Sequence, residues 1–402
     1  MRYRYTATTR KGRTETGTVD AQTSGAAADQ IRSNGLMVVS LRKEAGFFGD
    51  AFSRLEWVTP ETKVAFAKHM SLMIRAGLPV DEAVRVLAEQ ARGRFRKDLE
   101  AVLKAVESGR PLSEGFADRP GTFSELTVAA TRAGEASGTL EENLDGLAEQ
   151  MTKNFELVRK IRSAMTYPLV VLAAALGVGI GLSTFVLPKI IGLFQSITVQ
   201  LPLMTRALLA FSNFIVVHGR TALLVALLAL LALFRFLRLR VVRPFTDALL
   251  LRLPVFGKLI RNYNLAMFAR TMATLLRSGM AIGEAFQVTS DTLRDTSFKR
   301  ALLKIKQGTE RGVPASSILD EFPRLFPSVA SRMIAVGERT GKLEETFRYL
   351  ADFYEDAVDV TTKNLSTLLE PILLVVIGLA VAFIAIAIIS PIYNFIGNIQ
   401  RL

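Results

Sequence analysis

The chain has 402 residues, half of them hydrophobic, and a positive mean hydropathy of +0.30, so it is long enough for several domains and too apolar to be wholly soluble. It has no cysteine, which excludes disulfides, a thiol nucleophile and thiolate metal sites. Its net charge of +13 raises nucleic acid as a partner, but much of that charge flanks apolar spans, and neither an aromatic strand signature nor zinc-finger spacing is present; anionic lipid is the partner it points to.

Residues 1–45 read as a small α+β domain. The stretches "RYRYTATT", "RTETGTVDAQ" and "MVVSLR" are rich in β-formers, "RKG" supplies a turn, and "SGAAADQIRSNG" reads as a short helix, giving the order strand, strand, helix, strand. The first residues contain no apolar core or cleavage site, so a signal peptide is not expected. Residues 46–58 place Phe48, Phe52 and Leu55 on one side and read as a linker or a helix lying on the membrane surface.

From 59 to 165 the periodicity is helical. Thr59 is an N-cap signal with Pro60 at the first helical position. Phe66, Met70, Met73 and Gly77 then fall on one face, with Lys63, Lys68 and Arg75 elsewhere. The punctuation "AGLPVDE", "ESGRPLSE", "RPGTFSE" and "AGEASGTLEE" divides this region into about six helices.

Two charge-free runs, Pro168–Leu187 and Pro371–Ile389, match a bilayer core of ~30 Å and define spans at 166–187 and 368–392. A shorter apolar run, Thr221–Phe234, spans if Arg220 and Arg235 reach toward the headgroups, giving a second span at 214–237 after a periplasmic loop at 188–213. A second cytoplasmic helical region occupies 238–367, and 393–402 form a periplasmic tail. Lys153, Arg159, Lys160 and Arg162 precede the first span, and Arg235, Arg238, Arg240 and Arg243 follow the second. The intervening loop has only Lys189, Arg206 and Arg220, and the tail only Arg401. That asymmetry puts the N-terminus inside and the C-terminus outside.

The chain repeats itself. "FAKHMSLMIRAG" (Phe66 to Gly77) returns as "FARTMATLLRSG" (Phe268 to Gly279) at a spacing of 202, and "GEASGTLEE" (Gly134 to Glu142) returns as "GERTGKLEE" (Gly337 to Glu345) at 203, so one residue is inserted in the second copy. Pro168 pairs with Pro371. Each copy is a helical domain followed by one span. Two copies in the same direction begin on the same side of a membrane, so a crossing must lie between them, which supports the short second span. The repeat signature is Gly77, Gly134, Glu135, Gly138 and Leu140, with Gly279, Gly337, Glu338, Gly341 and Leu343.

"GERTGKLEE" is not a phosphate loop. That motif needs GxxxxGK followed by Ser or Thr, whereas here the first Gly is one residue too close and Leu343 replaces the hydroxyl. No catalytic residue or cofactor site is assigned. His69 and His218 lack companions at ligand spacing and read as surface and interfacial residues. Glu141, Glu142, Glu344 and Glu345 are weak metal candidates; the favoured reading is acids in a first helical turn, with a Thr139–Glu142 capping box in the first copy and Thr340 or Gly341 as cap in the second. Glu370 beside Pro371, opposite Tyr167 and Pro168, is either a dipole-stabilised acid or a contact to another membrane subunit.

The tandem "F-x-R/K…R-x-G" opening, "GE-x-x-G-x-LEE", "YP" entering the first span, "VLPKIIGLF" leaving it and "LPLMT" in the outer loop together resemble the type II secretion system F and type IV pilus inner-membrane platform family, over essentially the whole chain. The resemblance implies a mainly α polytopic protein with three transmembrane helices, two repeated cytoplasmic bundles and a small N-terminal α+β domain. It implies a non-enzymatic role in the bacterial inner membrane, with a cytoplasmic secretion or assembly ATPase, other inner-membrane subunits, pilin-like subunits and further copies of the chain as partners. A repeat-built transporter is the alternative; against it, the chain has only three spans, with no charge near their centres. A membrane ATPase would require nucleotide binding by the isolated domains. The motifs are shared by secretion and pilus systems.

Overall fold

A computed structural model describes residues 2–9, 14–21, 24–33, 35–43, 58–186, 203–237, 239, 241–254 and 256–399. They form two compact units, Met1–Phe123 and Ser124–Leu402.

The first unit opens with strands β1 (Arg2–Thr9) and β2 (Thr14–Asp20), helix α1 (Ser24–Ser33) and strand β3 (Leu36–Lys43). β1 is central and antiparallel to both neighbours, in the order β2-β1-β3, with an irregularity against β3 at Thr6/Ala7. Ala27 and Ile31, one turn apart on α1, are buried with Ala7, so a single apolar stripe fastens the helix to the sheet. The expected "RKG" turn and the segment with Phe48, Phe52 and Leu55 lie outside the described residues.

Four helices follow: α2 (Pro60–Arg75), α3 (Val80–Gln90), α4 (Gly93–Glu107) and α5 (Leu112–Ala117). The Thr59 hydroxyl caps α2 by accepting from the Thr62 N–H, and Pro60 occupies the first turn, where its missing N–H costs nothing. Phe66 is the hub of the core. Its ring meets Phe95 at 5.6 Å, Phe116 at 6.0 Å and Phe123 at 5.6 Å.

The second unit contains α6 (Glu125–Ser137), α7 (Leu140–Gly181), a π-turn at Leu182–Val186, α8 (Leu203–Leu237), α9 (Arg243–Arg252), α10 (Phe256–Arg277), α11 (Ile282–Thr292), α12 (Thr296–Thr309), α13 (Ala315–Leu319), α14 (Ser328–Thr340) and α15 (Leu343–Ile399). Phe268 on α10 is its aromatic hub, 5.4 Å from both Phe326 and Phe347 and 6.3 Å from Phe286, with Phe298 5.4 Å from Phe326. Phe268, Phe298 and Phe326 repeat Phe66, Phe95 and Phe123, so the two copies share a core plan as well as a surface signature.

The one-residue slip falls between α11 and α12. Two residues, Ala91 and Arg92, join α3 to α4, whereas Leu293, Arg294 and Asp295 join the later pair. The insertion has a use: Asp295 caps α12 by accepting from Ser297 N at 2.8 Å and Phe298 N at 3.1 Å, and α4 has no side-chain cap.

Three helices are long and apolar enough to cross a membrane, within Leu140–Gly181, Val217–Leu237 and Leu343–Ala387. The chain is a multi-pass membrane protein. The helices outrun the apolar runs. α7 continues through Pro168, α8 begins at Leu203 inside the segment read as an outer loop, and α15 continues to Ile399 in the expected tail. Continuing the helix across the membrane boundary is favoured because hydrocarbon offers the peptide groups no other partner.

Candidate docking surfaces of the helical repeats

The signature "GE-x-x-G-x-LEE" is a helix-crossing device. Gly138 and Gly341 end α6 and α14 in the left-handed region, with φ of 72° and 71°, which lets the chain reverse within two residues. Gly134 and Gly337 sit one turn earlier, at the crossing itself. A Cβ on Gly134 would lie 2.8 Å from Leu140 Cα, and one on Gly337 2.5 Å from Thr346 Oγ1. Glu338 then turns outward to cap another helix, its carboxylate accepting from Ala315 N at 2.6 Å, Ser316 N at 3.1 Å and the Ser316 hydroxyl. An acid here satisfies the N-terminal donors of α13. Replacing Gly337 by alanine is expected to cost about 1–3 kcal/mol through overpacking, and Gly341 by alanine about 1–2 kcal/mol through left-handed strain, both read from the thermal unfolding midpoint.

The expected capping box does not form. Thr139 Oγ1 is taken by Ser137 Oγ at 2.6 Å and Asn143 Nδ2 at 2.9 Å, and its backbone makes no side-chain cap. In the second copy the Thr340 hydroxyl donates to the Val336 carbonyl at 2.8 Å and does not cap α15. For Thr340 the helix-interior carbonyl one turn back is the partner that competes with capping. Glu344 pairs with Arg348 at 3.4 Å and Glu345 with Lys342 at 3.6 Å, while Glu141 and Glu142 are exposed in the first turn of α7. Leu140 and Leu343 open their helices half-buried, and Gly77 and Gly279 close α2 and α10 with φ of 83° and 77°.

Beneath this surface α10 runs between α7 and α15. On one side Arg270 is clasped by Asp352 at 2.5 Å and by Glu355 at 2.6 Å. Arg270 and Glu355 are largely buried, and burial lifts the Glu355 carboxyl above the usual carboxylate range against the opposing hydrogen bond and charge of Arg270. On the other side Gln150 of α7 donates to Thr271 Oγ1 at 2.7 Å and Tyr263 donates to Asn154 Oδ1 at 3.0 Å. Burial raises the Tyr263 hydroxyl's pKa, which keeps it a donor. Gly146 completes the seam, because any Cβ there would overlap the Arg277 guanidinium. The cleft where the three helices meet, lined by Gln150, Arg270, Thr274 and Arg348, holds about 40 Å³, room for water and far short of the ~300 Å³ of a small-molecule site.

None of Arg270, Glu355, Gln150 or Thr271 was singled out from sequence. The one available signal was the basic residue that recurs at Lys68 and Arg270 next to the apolar face.

At the membrane entrance α7 and α15 run parallel. Lys160 pairs with Asp359 at 2.6 Å, and Ser366 donates to the Ala164 carbonyl at 3.4 Å. That carbonyl is the one left without its helical donor by Pro168, four residues on. Deeper, Thr205 of α8 donates to the Ala387 carbonyl of α15 at 2.8 Å. Tyr167, Glu370 and Pro371 are exposed beside this junction, and Pro168 is buried in it. His69 is exposed, and His218 stacks on Phe214 at 5.6 Å.

The sequence profile of the family described as "Type II secretion system (T2SS), protein F" matches residues 66–188 and again 268–391, and that of its N-terminal domain matches residues 1–42. The chain is 36% identical over 407 residues to the type IV pilus assembly protein PilC of Thermus thermophilus, covering 99% of both. It is 32% identical to the protein of the same name from Myxococcus xanthus, over 98% of this chain and 95% of the relative. It is 30% identical to the type II secretion system protein F of Vibrio cholerae, over 99% of each.

Proposed function

Because the chain belongs to the type II secretion system protein F family, we propose that it is the non-enzymatic inner-membrane platform of a type II secretion or type IV pilus machine. The observation that carries this reading is that each matched copy is a helical bundle whose last helix, α7 or α15, continues without a break into a membrane span. Such a chain joins a cytoplasmic docking surface to a bilayer segment. In this reading the bundles face the cytoplasm and dock the assembly ATPase and neighbouring inner-membrane subunits. The C-terminus is periplasmic, and the basic flanks rest on anionic lipid. The junction of Tyr167, Glu370 and Pro371 meets pilin-like subunits, and the chain associates with further copies of itself. Nucleotide-driven movement of the ATPase then passes through α7 and α15 to subunits leaving the bilayer.

The test is to delete the cytoplasmic helices of either repeat while retaining α7 and α15. Each deletion is expected to abolish fibre assembly or secretion while the protein still inserts in the membrane; normal output from either would reject the reading. Which output stops distinguishes a pilus system from a secretion system.

A further inference from the structure

The sequence encodes both sides of the α7–α10 seam twice. Its first side is the α7 stripe Gly146, Gln150, Asn154, Leu157; the repeat carries this onto Tyr349, Phe353, Ala357 and Val360 of α15. Its second side is the α10 stripe Tyr263, Met267, Thr271, Thr274, carried onto Glu61, Ala65, His69 and Leu72 of α2. All of these counterparts except half-buried Ala357 are exposed. Gln150 is 2% exposed and Phe353 46%; Leu157 is 4% exposed and Val360 58%.

The helix before each stripe shows the same contrast. α6 packs on α11 and is buried nearly all round, including Leu126 and Ala129; the matching Val329 and Arg332 of α14 are exposed, Val329 by 53% against 5% for Leu126. Aromatic and β-branched side chains left open along one face of a helix pair run against ordinary surface composition.

We infer that the second version of this seam forms between chains, the Tyr349–Phe353–Val360 stripe of one copy docking on the Ala65–His69–Leu72 stripe of another. Three observations favour a second copy as the occupant. The chain already uses this pairing of surfaces on itself. Register is preserved, since Gln150 meets Thr271 in the formed seam and their counterparts are the two rings Phe353 and His69. Charge is compensated, with exposed Asp356 beside the α15 stripe and exposed Lys68 beside that of α2. Each chain offers one of each face, so the contact is made either reciprocally in a two-fold dimer or head-to-tail between successive copies. α7 and α15 enter the membrane in the same sense, so copies related as the repeats are share one bilayer. The inference rests on the self-association in the functional reading and is independent of ATPase docking.

The absence of native cysteine makes the test direct. Full-length Phe353→Cys and His69→Cys chains, differently tagged, are co-expressed and treated in membranes with a mild oxidant. A disulfide-linked pair is expected only when both variants are present, in about tenfold excess over either alone. Gln150→Cys/Thr271→Cys in one chain is the positive control for the same seam. Adding Tyr349→Asp to the Phe353→Cys chain is expected to remove the intermolecular bond without lowering the unfolding temperature, because Tyr349 is exposed. A bond formed by Phe353→Cys alone would show a like-with-like contact and overturn the proposal. So would no mixed bond while the control bond forms, whether the chains are associated otherwise or single. Secretion or piliation assayed on the repeat deletions decides the functional reading separately, so the two failures are distinguishable.

Discussion

Replacing Arg270 by methionine is expected to destabilise the second repeat by about 3–5 kcal/mol, the usual cost of leaving one partner of a buried pair behind. The guanidinium is the cation that Glu355 and Asp352 share, and burial of Glu355 disfavours its ionised form. The loss carries a pH signature. A carboxyl whose folded pKa lies above its unfolded value keeps its share of stability below that window and loses it as pH rises through the window. Without Arg270 the upward shift grows, so the variant is expected to be closer to the parent at pH 5 than at pH 8. Arg270→Met with Glu355→Leu removes the stranded charge and should recover much of the loss and flatten the pH dependence. Unfolding midpoints of the detergent-solubilised protein at the two pH values check both statements. Equal destabilisation at pH 5 and pH 8 would mean that Arg270 acts through packing of its stem alone.

Truncating Phe268 to alanine is expected to cost a further class of stability, about 3–5 kcal/mol, by opening a cavity at the aromatic hub. Its ring touches Phe286 of α11, Phe347 of α15 and Phe326 of the turn before α14, so no single element can move in to fill the space. Phe66→Ala in the first unit is expected to behave alike, since it holds Phe95, Phe116 and Phe123. If Phe268→Leu loses less than half as much as Phe268→Ala, volume is the controlling quantity. A loss of equal size would point to the edge-to-face ring contacts.

Much of the architecture was legible because it was written twice. Repetition of "FAKHMSLMIRAG" and "GEASGTLEE" located the helical repeats and identified the helix reversals, and the charge-free runs identified the membrane helices. What stayed hidden depends on neighbours distant in sequence. Periodicity puts Arg270 off the apolar face of α10, yet α15 covers that face too and supplies two carboxylates. Pattern alone cannot show that Gln150 and Thr271, both ordinary polar residues, meet inside a helix seam. The Thr139 capping box failed for a local reason, competition from Ser137 and Asn143 for one hydroxyl. The insertion was detected as a slip of one residue, but its role as the Asp295 cap needed the turn itself.

α15 runs from Leu343 to Ile399 as one helix, about 85 Å at 1.5 Å per residue. Glu370 and Pro371 lie near its midpoint, so it extends roughly 40 Å to either side of the membrane entrance. A rod pivoted at its centre has arms of equal length. With that geometry, a tilt of about 10° moves each end by about 7 Å in opposite directions, several times the amplitude of ordinary side-chain motion. A displacement at the Leu343 end of α15 therefore reappears at the Ile399 end with similar amplitude and in the opposite direction.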